Sequence, residues 1–213
     1  TYYLPVILDS VGGMPEGAVF EIPEVTAEAA IMMSLSQMSM IGVLIIVAIT
    51  MSVIAGERKS GVIELILVRP VHYMTYITAK WAAKLLLVFT SYLLGMLVSW
   101  YYVNLLFGEL SAASFLSLLL FYFVWLIFVV SLTVFYNTVV KSPGLVLGLS
   151  IVTLMLMSAV NQILSFRISW LPNSISTHIS NMLGMGSVPN DLWIAAAITI
   201  GISIILLAAA PYI

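Results

Sequence analysis

The chain has 213 residues, of which 62% are hydrophobic and 8% charged, with a formal net charge of −2. Soluble domains carry about 25% charged residues, so a chain this apolar cannot cover itself with polar groups in water, and a soluble globular domain is excluded. There is no cysteine, which removes disulfides, thiolate chemistry and cysteine zinc sites.

The first thirty residues lack a basic start followed by an apolar core, so they are neither a signal peptide nor a spanning helix. Asp9, Glu16, Glu21, Glu24 and Glu28 interrupt them, and Pro5, Gly12, Gly13, Pro15, Gly17 and Pro23 divide them into turns. Thr26 is placed to cap the next helix, with Glu28 near its positive end.

A spanning helix needs about 20 apolar residues at about 1.5 Å rise each. Five stretches qualify: 31–55, 81–107, 114–136, 144–164 and 192–212. The expected fold is an all-α polytopic membrane bundle forming one domain over 1–213. Stretch 114–136 contains no charge, Gly or Pro and is the cleanest. The connecting pieces are 56–80, 108–113, 137–143 and 165–191. In the last of these, Ile175, Ile179, Met182 and Leu183 repeat at helical spacing after Pro172 and Asn173, with Gly184 as a stop. This predicts a short amphipathic helix that lies at or dips into the interface, or a loop packed over the bundle.

Five spans alternate between two sides. One side collects Arg58, Lys59, Arg69, Lys80, Lys84 and Lys141, six of the seven basic residues. The other has Arg167 with Asp9, Glu16, Glu21, Glu24, Glu28, Glu109 and Asp191. Positive residues favour the cytoplasm. The expected orientation in a cell membrane therefore puts residues 1–30 outside and the C-terminus in the cytoplasm. An outside start without a signal peptide leads us to expect an upstream span, six in an intact subunit.

The informative connection is 56–80. Gly61 loosens the exit from the first span, Val62–Val68 suffices for about two helical turns, and Pro70 disfavours helix at Arg69. A short helix slung between two rigid spans can transmit force to both. Glu57, Arg58, Gly61, Glu64, Leu65, Leu67, Pro70, Val71 and Lys80 follow in the order E-R-x-x-G-T-x-E-x-L-L-x-x-P-V plus a later basic residue, with Val62 where Thr is usual and Ile66 beside Leu67.

Here the sequence resembles the membrane subunits of type-2 ATP-binding-cassette exporters. The resemblance implies that Val62–Val68 is a coupling helix docking into a groove of a separate ATPase subunit, with Glu57, Arg58 and Glu64 as polar contacts or braces. It also implies a second membrane subunit, the same or similar, and an exported substrate. The chain itself would bind no cofactor, ATP and Mg being used by the partner ATPase; no nucleic-acid partner is implied.

Other chemistries lack their motifs. No Gly-x4-Gly-Lys-Ser/Thr loop occurs, so ATP hydrolysis of that kind belongs to another polypeptide. His-Glu-x-x-His and Gly-x-Ser-x-Gly are absent. His72 and His178 fall on opposite sides and read as interfacial polar residues. The span middles carry no ionisable residue, which disfavours an ion-coupled carrier; Lys84 reaches the near surface by snorkelling. Such a carrier, and a non-transporting sensor or scaffold, stand as the alternatives. Gln37, Asn161 and Gln162 are the candidate path-lining groups, the competing reading being interhelical hydrogen bonds.

Overall fold

The computed structural model describes residues 26–61, 72–164 and 170–212. Among these there is no strand. The first span is built in pieces: α1 (Ala27–Gln37), a π-helical turn (Met38–Gly42), α2 (Val43–Thr50), a non-helical turn over 51–54, and α3 (Ala55–Lys59). The second span is α4 (Tyr73–Phe107), the third α5 (Ala112–Val139) and the fourth α6 (Pro143–Leu164). A 3-10 turn (Pro172–Ser174) leads into α7 (Ile175–Met185), followed by the fifth span, α8 (Asn190–Ala209), and a terminal 3-10 turn (Ala210–Tyr212).

All five spans are long and apolar enough to cross a bilayer. The expected bundle is therefore present, with shifts at the edges. The second span begins at Tyr73, eight residues before the apolar run that marks it in the sequence, because its first turns are amphipathic. Thr26 accepts a hydrogen bond from Ala29 N at 3.3 Å, as its capping role requires. Pro143 opens the fourth span, where a missing N–H costs nothing. The stop of α7 is Gly186 with φ 68°, two residues beyond the expected Gly184; the left-handed region there favours glycine.

The third span is the centre. In its apolar window 72% of residues are buried, against 11% in the fourth span. Tyr122, Leu118, Leu126, Val129 and Val130 are enclosed by the other helices. Lipid tails are as apolar as these side chains, so close packing rather than escape from water holds the spans together. Buried hydroxyls turn back on their own helix: Ser131 donates to Ile127 O at 2.8 Å and Thr133 to Val129 O at 2.8 Å, as a water-free setting demands.

Bonds between spans give their relative directions. Ser39 meets Tyr122 and Ala55 meets Asn137, so the first and third spans run parallel. Trp81 meets Ser131 and Tyr92 meets Leu119, so the second is antiparallel to the third. Tyr136 meets Thr153 at 2.8 Å and only residues 140–142 link the two helices, so the fourth is antiparallel too. Arg58, Lys59, Lys80, Lys84 and Lys141 thus share one end of the bundle, with Glu57. Glu28, Glu109 and Asp191 share the other. We term these the basic and acidic ends.

The helix α7 lies at the acidic end with its apolar face turned into the bundle. Ile175, Ile179, Met182 and Leu183 are all buried, and so is His178. It packs on the third and fifth spans, so the segment forms the expected short amphipathic helix, seated on the bundle at its acidic end.

Candidate functional site

At the basic end the first span stops being a regular helix. Met51 N still reaches Val47 O at 2.8 Å, and Val53 N bonds Thr50 O at 3.2 Å in a tighter turn. The amides of Ile54 and Ala55 leave the ladder. Both bond Asn137 Oδ1 of the third span, at 3.4 and 3.2 Å. The same side chain donates its Nδ2 to Thr50 O at 3.0 Å and to Thr133 O at 2.9 Å. One fully buried amide therefore supplies partners on both sides of the interruption. Lys84 of the second span adds a fourth contact, donating to Ile49 O at 3.0 Å.

Past the interruption, α3 is clamped on two flanks. Glu57 forms an ion pair with Lys80 and accepts a hydrogen bond from the Tyr76 hydroxyl. Lys80 also lies 5.6 Å from the centre of the Tyr76 ring, within cation–π range. Arg58 donates to Thr138 O at 3.1 Å and to the Tyr73 hydroxyl at 3.1 Å. Arg58 thus spans the third span and the start of the second with one guanidinium, a use of its forked geometry. Gly61, with φ 75°, then turns the chain in a region that side chains avoid.

The sequence-selected residues fall into three groups. Glu57, Arg58 and Gly61 sit together at this clamp. Val62, Glu64, Leu65 and Pro70, with the whole Val62–Val68 helix, lie outside the described residues. Asn161 and Gln162 line a cleft, and Gln37 does not: it is exposed away from it. Sequence reasoning missed Asn137, Thr138, Tyr73 and Tyr76. A signal for Asn137 existed, since a carboxamide directly after a long apolar run marks an interhelical bond in a membrane.

The cleft measures about 630 Å³ and lies between the first and fourth spans, with α7 over its acidic end. Ser36, Ser158, Asn161 and Gln162 give it hydrogen-bonding walls, and Val43, Leu44 and Val47 an apolar floor. No charged side chain lines it. No group of His, Asp or Glu able to hold a metal ion occurs among the described residues.

A five-span helical bundle with an uncharged cleft, and with the end of its first span tied to the start of its second, defines a polytopic membrane protein. Residues 14–185 match the family model described as ABC-2 family transporter protein, and the chain belongs to that family. It is similar to the uncharacterized transmembrane protein YxlG of Bacillus subtilis (strain 168), at 29% identity over 182 residues, covering 85% of this chain and 70% of that protein. No solved structure matches the chain significantly.

Proposed function

We propose that this chain is the membrane subunit of an ATP-driven exporter, working with a separate ATP-binding-cassette ATPase and a second membrane subunit, the same or similar. The observation that carries the reading is the clamp. Glu57 and Arg58 fasten the end of the first span to Lys80, Tyr76 and Tyr73 at the start of the second. The segment between those two anchors carries the family's coupling pattern. A push on Val62–Val68 by the ATPase would move both spans as one, because both flanks are tied to each other. Val62, Glu64, Leu65 and Pro70 act here as the contact face, and Gly61 as the turn that presents it.

In this reading the chain has no catalytic role and binds no cofactor; ATP and Mg belong to the ATPase. The basic end faces the cytoplasm, following the positive-inside rule, so the first residues lie outside and the C-terminus inside. The cleft lined by Asn161 and Gln162 is the chain's share of the path. Its uncharged, mainly apolar walls suit an amphiphile better than a strongly charged solute.

The test is co-expression with a candidate ATP-binding-cassette ATPase subunit. The two should co-purify, and Glu64→Arg or Gly61→Trp should abolish the complex. Retention of the complex and of normal ATPase activity in both variants would overturn the reading. Transport that persists without ATP but collapses with an ion gradient would establish the carrier alternative instead.

A further inference from the structure

The interruption at residues 51–54 has no cause in its own sequence. Met51-Ser52-Val53-Ile54-Ala55 contains no proline, and the apolar run continues through it. Helices break at proline, at Gly/Ser pairs, at π-bulges or where a group inserts into the helical ladder, and here a group is inserted. That group is Asn137, whose Oδ1 takes the Ile54 and Ala55 amides that Thr50 and Met51 carbonyls would otherwise hold. The interrupted form also carries a visible cost. A Cβ added to Gly56 would lie 3.2 Å from Ser52 Cβ, whereas residues four apart on a regular helix keep their Cβ atoms about 5–6 Å apart. A side chain at 56 is thus crowded in the interrupted form and not in a continuous helix.

We propose that Asn137 is a latch, a positioning residue that holds the first span in an interrupted state, and that closing of the helical ladder across 51–55 is the conformational step by which the clamp's movement reaches the rest of that span. Both forms satisfy the same two amides: Asn137 holds them in one, and Thr50 and Met51 carbonyls hold them in the other. The exchange therefore leaves neither backbone amide unpartnered; its cost falls on the Asn137 carboxamide, which gives up its bonds to Ile54, Ala55 and Thr50 and keeps the one to Thr133 O. The movement lies on the line joining Arg58 and Thr138, adjacent to Asn137, to the outer half of the span. Its role in transport rests on the coupling reading above; the latch itself does not.

The chain has no native cysteine, so spin labels at Ser60→Cys and Val139→Cys report on the two sides of the latch in the full chain in lipid nanodiscs. Asn137→Ala is expected to lengthen that distance by several ångström. Amide exchange at Ile54 and Ala55 should stay slow, because the helix recloses on Thr50 and Met51. Gly56→Ala leaves the latch chemistry intact and should produce the same lengthening by crowding Ser52. If both variants keep the wild-type distance, or if the two amides exchange freely in Asn137→Ala, Asn137 is only a structural tie and the proposal fails. In the complex with the ATPase, nucleotide should produce the lengthening in the wild type, and an unchanged distance there overturns the latch's part in transmission. Failure of the complex to form would sink the coupling reading while the first arm still decides the latch.

Discussion

Glu57 and Lys80 stand 23 positions apart in the chain and form an ion pair at the basic end of the bundle. Each is about one-third exposed, so the pair contributes roughly 0.2–1 kcal/mol to stability. Its geometric effect is larger than that figure suggests. It ties the end of the first span to the start of the second.

Reversing the pair separates these two effects. Glu57→Lys or Lys80→Glu should leave folding nearly unchanged but loosen the link between ATP hydrolysis and export. The double reversal Glu57→Lys with Lys80→Glu should restore part of the loss. The measurement is the ratio of substrate moved to ATP hydrolysed in reconstituted vesicles. Equal ratios in wild type and both single variants would remove the pair from the coupling path.

Arg58 gives a sharper distinction. Its two donors reach the Thr138 carbonyl and the Tyr73 hydroxyl. Lysine keeps the charge but has no planar fork, so Arg58→Lys should behave almost like Arg58→Ala in the same coupling assay. Full function in Arg58→Lys would mean that charge alone matters at this position.

Trp81 tests the packing of the second span on the third. Its Nε1 donates to Ser131 Oγ at 2.9 Å, and Ser131 also donates to Ile127 O. Trp81→Phe keeps most of the apolar ring and loses one hydrogen bond. The expected cost is about 1 kcal/mol, read as a lowered unfolding midpoint in detergent, with no effect on the ATPase complex.

Filling the cleft tests the path. Ser158 lines it and Gln37 does not. Ser158→Trp should block export while the ATPase still binds; Gln37→Trp should change neither. Equal transport by both variants would show that the substrate passes elsewhere.

Gly95 offers a check on tolerance within the membrane. A Cβ there would lie 2.9 Å from Met38 Cε, the mobile tip of a side chain that can shift. Gly95→Ala should therefore be near neutral, since about 1 kcal/mol of improved helix propensity offsets the crowding. Gly95→Ile, which cannot yield at its branched carbon, should cost about 1–3 kcal/mol by overpacking. Unfolding midpoints of the two variants decide it.

The five spans were legible in the sequence because bilayer solvation imposes a length and polarity rule that local composition satisfies or fails. Stretch 114–136 met it without exception and became the most buried helix. The clamp was half legible. Glu57, Arg58, Gly61 and Lys80 stood in a motif, whereas Tyr73 and Tyr76 lay in a stretch read as a link and stood in none. The interruption at 51–54 was invisible, because its cause sits on another helix. Asn137 fell just past the apolar run and read as part of a link, yet it lies inside α5 and is fully buried. Tertiary insertion into a ladder leaves no mark on the helix that is opened.

The enclosure of the third span carries a consequence for how the protein meets different membranes. Most of its side chains touch protein, so its surroundings change little whatever lipids lie outside. The first, second, fourth and fifth spans present their outer faces to acyl chains and must adjust when the hydrocarbon layer thickens or thins, chiefly by tilting. A change of lipid composition should then pivot four rods about a fixed keel, altering the width of the cleft while leaving the centre of the molecule as it was.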